Sequence, residues 1–227
     1  MIRSFLIGFA VLTLVMIALT AISPKTTTAA VTIPNPAVDD VLAPTKGQQT
    51  VVFAGGCFWG IQAVFEHVKG VTSATAGYSG GTVTSPDYEE VSSGATGHAE
   101  SVKVVYDPSQ ITFGQLLKVF FSVAHDPTQL DRQGPDSGTQ YRSAIFFNND
   151  NQKRIAKAYI DQLNQAKVYP RPIVTEVTAF SAFYPAEDYH QDYLVKHPYN
   201  PYIVVNDLPK VAALEKQCPD LYRAHTK

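Results

Sequence analysis

Apolar positions between residues 50 and 180 fall into short blocks that alternate between two periods. Val51-Val52-Phe53-Ala54 is an unbroken apolar, β-branched run, the pattern of a buried strand. Gly55-Gly56 permits a tight turn. Phe58, Ile61, Val64, Phe65 and Val68 then follow at helical spacing, closed by Lys69-Gly70. Val71 to Tyr78 predicts a second strand that turns at Ser79-Gly80-Gly81, and Thr82 to Gly97 a long polar loop. Glu100 to Tyr106 predicts a strand with Val102, Val104 and Tyr106 on one face. Thr112-Phe113-Gly114-Gln115 is a capping box, opening a helix that runs to about Ala124. After a second long loop, His125 to Thr139, come a strand at Gln140 to Phe147 and a helix from Asp150 to Gln165 capped by Asn149. Ile173 to Phe180 alternates as a half-exposed strand. Beyond it only a short helical piece near Glu187 to Lys196 and a weak helix at Pro209 to Lys216 interrupt proline-studded coil.

This order predicts an α/β protein of the α+β kind, a two-layer sandwich with helices on one face of a mixed, mainly antiparallel sheet. The expected core is ferredoxin-like, with long functional loops and a coil-rich C-terminal tail. Residues 1–24 pair a basic start at Arg3 with roughly 18 uncharged residues from Phe5 to Ile22, so they predict a signal peptide or an N-terminal membrane anchor. Either would export the remainder, with the membrane touched only through this segment. Residues 25–49, rich in Pro, Thr and Ala without apolar period, predict a flexible linker, and residues 50–227 a single catalytic domain.

Composition narrows the function. The formal charge is −2, and setting aside the first thirty residues leaves 16 basic against 20 acidic side chains, so nothing advertises nucleic acid. Two cysteines, Cys57 and Cys218, are too few for a disulfide framework or a zinc cluster. No phosphate-binding glycine loop and no H-E-x-x-H is present, and His190 and His197 read as surface residues.

Cys57 stands where a strand end becomes a helix N-terminus, a place that stabilises anions, so its thiol is expected to ionise easily. Such a nucleophile serves two chemistries. Acyl transfer needs a histidine base, for which His98 and His125 are available. Redox chemistry needs a proton donor for the leaving group and a resolving thiol, a role that suits Cys218. Candidate donors lie in or beside the long loops: Tyr88, Glu100, and Asp136 through Tyr141. Each also has an ordinary reading: loop packing for Tyr88, a solvated strand start for Glu100, an Asx turn for Asp136.

As a set these residues resemble a known family. Gly55-Gly56-Cys57-Phe58-Trp59-Gly60, Gly77-Tyr78-Ser79-Gly80-Gly81, Tyr88-Glu89-Glu90-Val91, Gly97-His98-Ala99-Glu100, Asp107-Pro108, Asp136 through Ser143 and Tyr184 through Gln191 occur in the order seen in A-class peptide methionine sulfoxide reductases. The resemblance covers about Val51 to Tyr199. It implies that Cys57 attacks the sulfoxide sulfur, that Phe58 and Trp59 wall the methyl pocket, and that Glu100 donates a proton to the oxygen. Tyr88 and Tyr141 would bond the same oxygen, and Asp136 would hold the substrate backbone. The implied enzyme acts on the S epimer in free or protein-bound methionine sulfoxide, as a monomer, with no metal or organic cofactor. Cys218 is expected to resolve the Cys57 sulfenic acid, and a thioredoxin-like dithiol to reduce the bridge. Export would place that reductant outside the cytoplasm.

Overall fold

The computed structural model describes residues 33–224, so the predicted signal or anchor at 1–24 and the first part of the predicted linker lie outside the described residues. Among the described residues no helix is long and apolar enough to cross a membrane.

The strands are β1 (Gln49–Gly55), β2 (Val71–Ser79), β3 (Ala99–Tyr106), the two-residue pair β4 (Arg132–Gln133) and β5 (Asp136–Ser137), β6 (Ser143–Phe147), β7 (Glu176–Ala179) and β8 (Phe183–Pro185). The helices are α1 (Phe58–Glu66), α2 (Tyr88–Ser92), α3 (Phe113–Val119), α4 (Asp150–Gln165), α5 (Tyr193–Lys196) and α6 (Leu208–Gln217). Six strands form one sheet in the order β7-β6-β1-β3-β2-β8. Its centre, β6-β1-β3-β2, is antiparallel throughout and is the ferredoxin-like arrangement, since each half contributes strand, helix, strand. The α4 crossover then adds β7 parallel to β6, and β8 pairs antiparallel with β2 at the opposite edge.

Strand alternation divides the sheet into two faces. Val51, Phe53, Val102, Val104 and Ile145 share one core with the helices, whereas Val52, Ala54, Ala99, Ala144 and Phe146 form a smaller one on the other face, with Phe180 and Phe183 packed against it. Within the main core Phe53 stacks on Phe65 of α1 at 5.0 Å between centroids and on Phe120 at 4.7 Å. Glu100 has the same parity as Val102 and Val104, so the pleat turns this carboxyl inward, towards α1.

The capping box of α3 forms as its sequence predicts: Thr112 accepts from the Gln115 amide at 3.1 Å while Gln115 accepts from the Thr112 amide at 3.0 Å. Its helix changes to a π turn over Phe120–Ala124. Three local expectations change. The polar loop 82–97 contains α2, because Asp87 and Glu90 form a capping box of their own. Thr139–Tyr141 is a 3-10 turn, and the strand expected from Gln140 starts only at Ser143. The coil expected before α6 includes a π turn at Ile203–Asp207 that leads directly into the helix.

The larger correction concerns residues 33–48, expected as a loose linker. Ile33 is buried, Tyr159 donates to the Pro34 carbonyl at 2.7 Å, and Lys118 donates to the Asn35 side chain at 2.8 Å. Asp39 caps the start of α3 a second time, accepting from the Gly114 amide at 2.7 Å and from the Thr112 hydroxyl at 2.5 Å. Absence of apolar period hid this because the strap is held by side-chain to backbone bonds, which leave no periodic signature. Asp39→Ala is expected to cost about 1–2 kcal/mol by orphaning these donors. That corresponds to a fall of roughly 3–6 °C in thermal midpoint for a domain of this size; an unchanged midpoint would show that the strap contributes nothing.

Candidate active site

Gly56 turns the chain from β1 into α1 with φ of +91°, and a Cβ there would sit 2.5 Å from the Gln133 side chain. Both facts demand glycine. The turn delivers Cys57 to the N-cap position of α1, where the residue is 8% exposed. Gln133 belongs to the β4–β5 hairpin, so the second long loop closes over the same turn.

Glu100 reaches this point from the start of β3, and its Oε2 accepts the Phe58 amide at 3.0 Å. Burial raises its carboxyl to about 8, with the nearby Asp136 and Asp207 adding to the shift and the Phe58 amide opposing it. Glu100 is therefore a protonated acid at neutral pH. Cys57 departs from expectation. Burial pushes its thiol well above the ordinary value, and Glu100 and Asp207 push it further; the Trp59 amide and Lys210 only partly oppose them. The helix N-terminus does offer amides, but its first one is already spent on Glu100.

Tyr88, at the start of α2, and Tyr141, in the 3-10 turn, both lie within electrostatic reach of Cys57 and Glu100, and burial raises both phenols. Both are neutral donors at physiological pH. Glu187 fixes Tyr88 by accepting its amide at 2.9 Å and also takes the Tyr78 hydroxyl at 2.9 Å, beside Glu100 in the β2–β3 register. Phe58 is buried against Tyr78 and His190, with ring centroids 5.9 and 5.1 Å away. Trp59 is partly exposed and stacks on Tyr193 at 3.7 Å between centroids. Asp136, on β5, accepts a short hydrogen bond from the Tyr202 hydroxyl. Cys57, Phe58, Trp59, Tyr88, Glu100, Asp136 and Tyr141 thus converge from five segments on one half-buried chamber.

Cys218 does not join them. It ends α6, buried beside Lys118 and Ser122, and the residues after it are tied to the far end of α1 through Lys69–Leu221 at 2.7 Å and the Val68–Tyr222 bridge. Nine residues of α1 therefore separate the two thiol regions, a length of roughly 13 Å at 1.5 Å per residue. A disulfide needs Cα atoms within about 7 Å. Both cysteines are free.

Several groups in the chamber have no role assigned by the sequence, His190 among them although it lies in the motif from Tyr184 through Gln191. His190, expected on the surface, is 2% exposed. Its Nδ1 accepts the Trp59 indole N–H at 3.1 Å, and burial lowers its basicity, which leaves the proton on Nε2, buried without a partner. Tyr193, Tyr202, Asp207 and Lys210 arrive from the C-terminal segment, where no hydrophobic period or motif marks them as convergent. His98 and His125 serve structure instead. His98 accepts the Gly81 amide and bonds the Val83 carbonyl, while both ring nitrogens of His125 are taken by Phe120 and Ser143. Burial lowers His125 to about 4.

Comparison with known proteins shows the family. The family model described as peptide methionine sulfoxide reductase matches residues 49–221. A protein of Mesorhizobium japonicum named peptide methionine sulfoxide reductase MsrA 2 is 62% identical over 185 residues, which are 82% of this chain and 94% of that protein. One of the same name from Synechocystis is 53% identical, covering 86% of this chain and 92% of its own length. Among solved structures, methionine sulfoxide reductase A of Corynebacterium diphtheriae matches with a TM-score of 0.59 and 39% identity, covering 75% of this chain and 87% of its own. The reduced form of Mxr1 from Saccharomyces cerevisiae matches with a TM-score of 0.61 and 33% identity, covering 70% and 91%.

Glu100 keeps a proton in the folded chain that the unfolded chain releases near its ordinary value of 4.5, so stability falls as pH rises from about 4.5 to about 8. Glu100→Gln is expected to flatten that part of the stability profile, leaving the slope due to Glu66, also raised to about 8, and to Asp207, which burial raises as well. Thermal midpoints measured from pH 5 to 8 test this, and an equal slope in both proteins would refute it.

Proposed function

The chain belongs to the peptide methionine sulfoxide reductase family, and from that premise we propose how this chamber reduces the S epimer of methionine sulfoxide. The observation that carries the reading is the meeting of a buried thiol, a protonated carboxyl bonded to the next amide, and two neutral phenols around one space. Reduction of a sulfoxide requires that set, since the oxygen must be protonated as its bond to sulfur breaks.

The substrate methyl group lies against Phe58 and Trp59, and the sulfoxide oxygen lies between Glu100, Tyr88 and Tyr141. Cys57 sulfur attacks the sulfoxide sulfur while Glu100 gives its proton to the oxygen; the thiol proton replaces the one lost. The sulfur–oxygen bond breaks, the oxygen becomes bonded to the Cys57 sulfur as the new sulfur–sulfur bond breaks, and a sulfenic acid and methionine result, so two electrons move from cysteine to substrate. Hydrogen bonds from the phenols stabilise the negative charge that develops on oxygen. Asp136, with Tyr202 on its carboxyl, holds the substrate backbone. Binding of the substrate brings the oxygen to Glu100, so the elevated thiol needs to lose its proton only when an acceptor is present. The acyl-transfer alternative lacks support, because His98 and His125 have both ring nitrogens committed elsewhere.

Resetting the thiol requires movement. Condensation of the Cys57 sulfenic acid with Cys218 releases water and forms a disulfide, but only after the α6 end of the chain has left its present position. A thioredoxin-like dithiol then reduces the bridge by exchange. The uncharged stretch from Phe5 to Ile22 supports an exported enzyme, which would take its electrons from an extracytoplasmic dithiol.

Two measurements decide the reading. With dithiothreitol as reductant, turnover is expected for the S epimer and not for R, and Cys57→Ser is expected to abolish it. Glu100→Gln is expected to lower turnover by about 10²–10⁴-fold; indifference to epimer or to Cys57 overturns the assignment. Mass spectrometry after one equivalent of substrate, without reductant, is expected to show a Cys57–Cys218 disulfide. A sulfenic acid that persists at Cys57 would instead assign its reduction to the external thiol alone.

A further inference from the structure

The C-terminal segment places a second carboxylate at the helix end that carries the thiol. Asp207 is 0% exposed, at the junction between the π turn and α6. It packs so closely on α1 that a Cβ added to Gly60 would lie 2.1 Å from its Oδ1 and 2.7 Å from Lys210 Nζ. Gly60 is the third residue of α1, within the turn that Cys57 begins. Lys210 donates to Oδ1 at 3.0 Å, whereas Oδ2 is buried with no hydrogen-bond partner among the described residues. Half of the carboxylate is thus left uncompensated inside the protein.

We propose that Asp207 is a positioning residue through which the docking of α6 controls the reactivity of Cys57. The proposal rests on Cys57 being the reacting thiol. A buried negative charge beside the first turn of α1 opposes a second negative charge at the N-cap, and there is little solvent to screen the two. The groups that face Cys57 are Glu100 from β3, Tyr88 from α2, Tyr141 from the 3-10 turn, Tyr202 and Asp207 from the C-terminal π turn and its approach, and Lys210 from α6. Asp136 stands behind Tyr202. At neutral pH the phenols are neutral and Glu100 holds a proton, which leaves Asp207 and Lys210 as the facing charges; burial raises the Asp207 carboxyl while Lys210 opposes that rise, and Glu100 adds its own charge only above about 8. Both are carried by the segment that ends at Cys218. Departure of α6 therefore withdraws the charges beside Cys57 and releases the other thiol in one movement. While α6 is docked, the resting thiol is kept protonated and resists adventitious oxidation.

Alkylation of Cys57 by iodoacetamide, followed by peptide mass spectrometry across pH in the full chain, tests the proposal without any sulfoxide. Asp207→Asn removes the anion and leaves Lys210, so the midpoint of the alkylation profile is expected to fall by roughly one pH unit, about tenfold more thiolate at a fixed pH. Asp207→Ser, which also removes the charge, is expected to move it the same way. Adding Lys210→Met to Asp207→Asn is expected to reverse most of the fall, because the unpaired cation is then gone. A midpoint that stays or rises in Asp207→Asn overturns the proposal. So does a fall that the second substitution fails to reverse, since loosening of the site would not depend on the lysine. Absent turnover with this alkylation pattern intact would count against the reductase reading alone.

Discussion

The N-terminus of α1 accommodates several acidic groups, and its shortage of amides organises everything around it. The Phe58 amide bonds Glu100, the Trp59 amide is left for Cys57, and among the described residues Asp207 is paired with Lys210. Three acids in one buried volume cannot all be ionised, because each charge raises the cost of the next. The fold resolves this by keeping Glu100 protonated. That proton is the one a sulfoxide oxygen needs, so the electrostatic problem posed by burial is also the source of the acid.

Burial has to be enforced from several directions, and the architecture supplies them. The ferredoxin-like sheet places β1 and β3 side by side, so the ends of both strands reach the same edge of the helical layer. The pleat points Glu100 inward, and Gly56 lets the chain double back under the β4–β5 hairpin. Tyr78 and Tyr88 share Glu187, which locks the first loop to the 188–190 turn. Trp59 gains a rigid wall from its stack on Tyr193 and its bond to His190. Each is a modest interaction, and together they help to bury Cys57.

The C-terminal segment sits differently on this frame. Its early part contributes side chains to the chamber, while its end is fastened to the opposite end of α1. It spans both thiol environments without joining them. An enzyme that must present a sulfenic acid first to solvent-borne thiols or to its own second cysteine gains from having a separable element there. Exposed Val204, Val205 and Leu208 on that element show that its outer side is not held by the core.

Much of this was legible from residue pattern alone, where the cause is local. Apolar spacing marks β1 and α1, Thr112 and Gln115 announce their own capping box, and Asn149 announces α4. The motif around Cys57, read with the loops that follow, identifies the family and nominates Glu100, Tyr88, Tyr141 and Asp136. What the sequence could not settle is non-local. The ionisation of Cys57 follows from where Asp207 and Glu100 come to rest, about 150 and 43 residues away along the chain, and a helix terminus considered alone points the wrong way. The strap at 33–48 is bound by scattered polar contacts and has no period to read. The separation of Cys57 from Cys218 is set by the lengths of α1 and α6, so only the packed structure shows that two thiols in one chain stand apart.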